Sequence, residues 1–92
     1  MPEAPLTREV TVVNRLGLHA RAAARFVRLA ERFDARVLVA KDDLEVVGTS
    51  ILGLMMLTAA TGSVLRLSAT GPEAAAALEA LADLVARGFD EE

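Results

Sequence analysis

The chain has 92 residues, a formal net charge of −3 at pH 7, no cysteine, no Trp or Tyr, and a single histidine. That length supports one domain with one core, residues 1–92, whose ordered part is expected over 6–89 before a short acidic tail, Asp90-Glu91-Glu92. Without cysteine there are no disulfides or thiolate nucleophiles; a lone histidine gives no metal site and implies no cofactor, and the acidic balance argues against a general nucleic-acid binder.

Arg8–Val13 (REVTVV) is β-branched and is predicted as a first strand, ended by Asn14–Gly17. From Ala20 the spacing turns helical. Ala22 or Ala23, Phe26, Leu29 or Ala30, and Phe33 share one face, and Arg21, Arg25, Arg28 and Arg32 share the other. Asp34 is read as the end of this helix, and Ala35–Ala40 as a second strand. Lys41-Asp42-Asp43 makes a turn into a short third strand, Leu44–Val47, giving a hairpin. Ser50 then serves as N-cap for ILGLMML, which Thr61-Gly62 is expected to stop.

Ser63–Thr70 alternates, with Leu65, Leu67 and Ala69 on one face and Val64, Arg66 and Ser68 on the other, as in a half-exposed strand. Gly71-Pro72-Glu73 breaks the chain, with Pro72 at the first helical position and Glu73 in the first turn of a last helix. Ala74, Leu78, Leu81 and Val85 form its inner face, Glu79, Asp83 and Arg87 lie outside, and Gly88 is its C′ residue. The order βαββαβα predicts an α+β open-faced two-layer sandwich, a four-stranded antiparallel sheet with three helices on one face. Val46–Leu65 carries no charge and is nominally long enough to span a bilayer, but Gly48-Thr49-Ser50, Gly53 and Thr61-Gly62-Ser63 interrupt it. The N-terminus lacks the pattern of a signal peptide, so a cytoplasmic protein without membrane insertion is expected.

His19 stands at the mouth of the first helix, where backbone N–H groups lack partners and partial positive charge collects. A phosphoryl group on the imidazole would meet those donors and the Arg21 guanidinium, while Gly17 lets the backbone turn and leaves the ring open to a partner. The plainer reading is a capping histidine beside a surface arginine. The arginine stripe is either a solvated face or a surface for an acidic partner; stacked like charges cost a few tenths of a kcal/mol per pair and favour the second. The helix after Ser50 is apolar nearly all round, so it is either swallowed by the core or presents an apolar docking patch.

GLHARAAARFV, followed by VGTSILGLMML, closely resembles the HPr family, the histidine-containing phosphocarriers of the bacterial phosphotransferase system, over Arg8–Phe89. The resemblance implies that His19 accepts a phosphoryl group on Nδ1 from enzyme I, itself charged by phosphoenolpyruvate. It further implies transfer to enzyme IIA-type domains of the sugar or nitrogen-regulatory branch, with Arg21 assisting. Such a protein is a carrier and not an independent enzyme. Ser50 matches the site of an HPr serine kinase/phosphorylase found in many lineages. The implied docking surface comprises Gly17, Leu18, Ala20, Ala24, Arg25, Arg28, Ile51, Leu52 and Met55, presented by a monomer. Two departures stand out: Ala22 replaces the usual proline after the arginine, and Thr49 replaces the basic residue often found before the serine. The alternative is a regulatory module of the same fold acting mainly through Ser50 and the apolar patch.

Overall fold

The computed structural model describes residues 4–91. Its elements are β1 (Leu6–Thr11), α1 (Ala20–Ala30), β2 (Arg36–Lys41), β3 (Leu44–Val47), α2 (Ile51–Met56), β4 (Val64–Thr70) and α3 (Ala74–Ala86). The strands form one antiparallel sheet in the order β1-β4-β2-β3. Leu65, Leu67 and Ala69 of β4 and Val37 and Val39 of β2 form the inner face, and all are at most 2 % exposed. Against them pack Ala22, Ala23, Phe26 and Ala30 of α1, Leu54 of α2, and Ala77, Leu78, Leu81 and Val85 of α3. Period-2 burial in the strands meets period-3.6 burial in the helices, so one layer of aliphatic side chains closes the core.

Several boundaries differ from the sequence reading, each for a local reason. β1 begins at Leu6 because β4 continues to Ala69 and Ser68, which pair with Leu6 and Thr7. At its far end Val12 leaves the regular ladder but still exchanges hydrogen bonds, its N–H donating to Ser63 O and its O accepting from Gly62 N. α1 stops at Ala30, so Arg32 and Phe33 lie in the turn after it. α2 stops at Met56, with Thr58 in the left-handed region at φ +51, well before Thr61-Gly62. Ser68 is 9 % exposed rather than open to solvent, because its strand is central and Thr7 and Leu38 flank it across the ladder.

α3 begins at Ala74, so Pro72 belongs to the preceding turn and Glu73 is the N-cap rather than a first-turn residue. The Glu73 side chain does not cap the helix; its Oε1 accepts from Asp34 N at 2.7 Å, while Glu73 N donates to Asp34 O at 3.0 Å. That pair of bonds clasps the start of α3 to the α1–β2 connection. At the other end Gly88, at φ +69, closes a Schellman motif: Phe89 N donates to Leu84 O and Gly88 N to Val85 O. Phe89 and Asp90 continue in the left-handed region, at φ +59 and +62, and Phe89 is fully buried. The residues read as a loose acidic tail therefore turn back across α1, up to Glu91, the last residue described.

Candidate functional site at the mouth of the first helix

His19 is the N-cap of α1, with extended backbone (φ −81, ψ −178) and a side chain that accepts from Arg21 N at 3.2 Å through Nδ1. Its carbonyl accepts from Ala23 N at 2.8 Å, closing the first turn. Imidazole is an uncommon N-cap acceptor, and here the preceding turn places it. Gly17, at φ +68, packs so closely that a Cβ would lie 2.4 Å from Ala59 O. The same carbonyl accepts from Leu18 N at 2.9 Å, and Gly17 O accepts from His19 N at 3.0 Å. Thr61 Oγ1 adds a bond to Asn14 O. The loop between α2 and β4 and the loop before α1 are thus bound together, and His19 leaves that junction with its side chain 27 % exposed.

The other imidazole nitrogen, Nε2, hydrogen-bonds Glu91 Oε2. Arg21 N–H can only donate and the carboxylate can only accept, so the two partners select one tautomer: hydrogen on Nε2, lone pair on Nδ1. Glu91 Oε1 in turn accepts from Asn14 Nδ2 at 2.7 Å, and the same Nδ2 donates to Gly17 O at 2.8 Å. The Asn14 hydrogen bond holds the Glu91 carboxyl below its ordinary range, opposed by partial desolvation and reinforced by His19 and Arg25.

The arginines divide. Arg21 is exposed in the first turn of α1, and Arg28 is exposed farther along. Arg25 is half-buried, its Nη1 donating to Phe89 O. Arg25, Arg28 and Arg32 line a groove of about 390 Å³ between α1 and α3 with Leu29, Leu84, Arg87 and Asp90. Arg87 is occupied by Asp90, Nε to Oδ1 at 2.8 Å, and the pair shifts both ionisations toward the charged forms.

Ser50 is the N-cap of α2, its Oγ accepting from Gly53 N at 3.0 Å. α2 is buried on one side and exposed on the other. Leu54 and Leu57 are buried in the core, whereas Ile51, Leu52, Met55 and Met56 are exposed, Leu52 by 71 %. Among the other expected docking positions Ala20 is exposed and Ala24 half-buried. Gly17 and Leu18 are not open to a partner: Leu18 is 5 % exposed and part of the core, because its N–H is drawn onto Ala59 O. Ala22 is fully buried, which suits the smallest side chain that still favours a helix. Asn14, Phe89 and Glu91 were absent from the sequence-derived site; Gly88 as a C′ residue with an apolar neighbour was the one sign that the chain turns back there.

Among the described residues no group of three or more His, Cys, Asp or Glu side chains is arranged to hold a metal, and no helix is long and apolar enough to cross a membrane. On this open-faced sandwich a ring nitrogen bearing a lone pair stands at a helix mouth, an arrangement chemically able to accept a small transferred group. The family model for the PTS HPr component phosphorylation site matches residues 6–87. The chain is 45 % identical to phosphocarrier protein HPr of Neisseria meningitidis over 86 residues, covering 94 % of this chain and 97 % of that one. It is 43 % identical to phosphocarrier protein NPr of Shewanella violacea, with 94 % of each covered. Among solved structures, HPr from Thermoanaerobacter tengcongensis superposes with a TM-score of 0.90 at 40 % identity, covering 95 % of this chain and 98 % of that one. HPr from Bacillus anthracis gives 0.86 at 42 % identity, covering 90 % and 99 %. The chain belongs to the HPr family of phosphocarriers of the phosphotransferase system.

Proposed function

We propose that this carrier takes a phosphoryl group from phosphorylated enzyme I on His19 Nδ1 and passes it to enzyme IIA-type domains. The supporting observation is the pairing of an accessible imidazole with the first turn of α1. Nδ1 carries the lone pair and already faces Arg21 N–H, so a phosphoryl oxygen placed at Nδ1 inherits that donor. The Arg21 side chain, exposed beside it, adds a second charge-assisted contact as negative charge moves onto the ring. Nδ1 uses its lone pair to form the N–P bond while the donor's bond to phosphorus breaks and its electron pair stays on the donor.

Docking falls to the exposed residues Ala20, Arg28, Ile51, Leu52 and Met55, with Ala24 and Arg25 at the half-buried edge and Gly17 and Leu18 holding the loop from beneath. Apolar side chains flanked by arginines fit an apolar partner surface with an acidic rim. Phosphorylation of Ser50 by an HPr serine kinase/phosphorylase would put about two negative charges beside that patch and weaken docking. The working species is a cytoplasmic monomer; a dimer is described for HPr of T. tengcongensis.

Incubation with enzyme I and labelled phosphoenolpyruvate tests the assignment. An acid-labile, alkali-stable label is expected on the wild type and none on His19→Ala. Label retained by the variant, or none on the wild type, refutes it.

A further inference from the structure

The arginine row of α1 runs along a groove whose other wall is α3. Arg25 and Arg28 sit about one turn apart on α1, and Arg32 follows just past its end. Arg87, the C-cap of α3, lines the same groove. After the Schellman turn at Gly88 the chain hooks back, anchored by fully buried Phe89, and this hook brings Asp90 to the groove. Asp90 is the one carboxylate among the lining residues, and Arg87 already engages it. Among the described residues no carboxylate lies within ion-pairing distance of Arg28 or Arg32. Four guanidiniums therefore share about 390 Å³ with a single carboxylate, in a chain whose net charge is −3. Like charges on successive turns repel, so a bound anion would relieve a strain that the free protein carries.

We propose that this groove binds a small molecule carrying two or more phosphate groups. A guanidinium fork matches phosphate oxygens, and a row of forks on successive turns can meet several anionic groups at once, where a single tetrahedral anion meets only one or two. Leu84, 3 % exposed, and half-buried Leu29 form apolar parts of the wall, which lower the local dielectric and strengthen the attraction. The volume falls within the range of small-molecule sites, about 300–1,000 Å³. The site is separate from the helix mouth, because neither His19 nor Arg21 lines it. Arg25 and Arg28 also belong to the docking surface proposed above, whereas Arg32 and Arg87 do not, so the two roles can be told apart.

Tripolyphosphate, added without divalent cations and followed in ¹H–¹⁵N NMR spectra, is the probe. Saturable shifts are expected at Leu29 and Leu84 N–H and at Arg32 and Arg87 Nε. Sulfate at the same ionic strength should bind at least about tenfold more weakly, since it offers one anionic group to the row. Arg32→Gln should weaken tripolyphosphate binding by about threefold to tenfold, the effect of one partly exposed charge-assisted contact. Asp90→Asn removes the only lining carboxylate and releases Arg87, so it should tighten binding by a similar factor. Arg66→Gln and Glu45→Gln change the net charge by the same amounts on the sheet face turned away from the helices. Both should leave the affinity within about twofold of the wild type.

Shifts centred on the backbone N–H groups of Arg21, Ala22 and Ala23 would place the anion at the mouth of α1 and overturn the proposal. Sulfate binding as tightly as tripolyphosphate would overturn it too, as would an equal response of each groove variant and its sheet control, since net charge alone would then account for the binding. Absence of any saturable shift at millimolar tripolyphosphate overturns it outright. If the groove resonances respond to enzyme I and not to tripolyphosphate, the arginine row serves protein docking alone.

Discussion

Replacement of Gly17 by alanine isolates what the turn before α1 contributes. Two costs add. Placing an L side chain at φ +68 costs about 1–2 kcal/mol. The new Cβ would also lie 2.4 Å from Ala59 O and 3.0 Å from Ala60 Cα, and both are backbone atoms that cannot rotate aside. Relief requires the two loops to part, which breaks the 2.9 Å bond from Leu18 N to Ala59 O. Losing that buried bond adds about 1–3 kcal/mol. The total, about 2–5 kcal/mol, is a large part of the 5–15 kcal/mol typical of a domain, and a domain in the middle of that range stays folded. Gly62→Ala supplies the control: its φ is +93, but a Cβ there meets nothing within 4 Å, so only the dihedral cost applies. Urea unfolding followed by far-UV circular dichroism is the assay, since the chain has no Trp or Tyr to report by fluorescence. Equal losses in the two variants would refute the idea that contact with Ala59, rather than backbone conformation alone, fixes the turn.

Phe89→Ala should cost about 3–5 kcal/mol, because a fully buried aromatic leaves a cavity at the base of the hook; a change in urea midpoint equivalent to less than about 1 kcal/mol would show that this residue is not the anchor. Ser50→Asp preserves a good N-cap for α2, so the melting temperature should stay nearly constant while transfer from enzyme I slows; unaltered transfer removes Ser50 from the docking surface. Glu91 and Asp90 both ionise below their ordinary values of 4.5 and 3.8, through hydrogen bonds from Asn14 and Arg87 respectively. Their contribution to stability is therefore present above those values and lost as pH falls through the lower folded ones, and the decline in melting temperature on acidification should be shallower in Asp90→Asn/Glu91→Gln than in the wild type. Identical declines would refute it.

The order of elements was legible because each carries its own period and its own stop. α1 shows this: Ala22, Ala23, Phe26 and Ala30 recur at helical spacing and are all buried, joined by Val27. His19 and Arg21 were legible as a pair for the same local reason, a ring at a helix mouth and a guanidinium within one turn. The boundaries of β1 were less so, since a strand's length is set by its partner, and residues 64–69 of β4 pair with it. Pro72 and Glu73 were misplaced because proline fits both a turn and a helix start, and the bonds between Glu73 and Asp34 decided between them. Glu91 was out of reach altogether. Nothing near it in sequence distinguishes a hooked tail from a free one except Gly88, and its meaning depends on Asn14 and His19 more than seventy residues earlier.

The contact between His19 and Glu91 also sets when the helix mouth takes its full form. His19 leaves the ribosome early, but its carboxylate partner follows 72 residues later, roughly 4–14 s at ordinary rates of synthesis. The helix-mouth donors can form as soon as α1 does, whereas the Nε2 contact waits for the whole domain, because the hook is anchored on a core that α3 completes. A chain that stops short of Glu91 carries the histidine without its carboxylate, so the finished pair reports that synthesis has run through the whole domain.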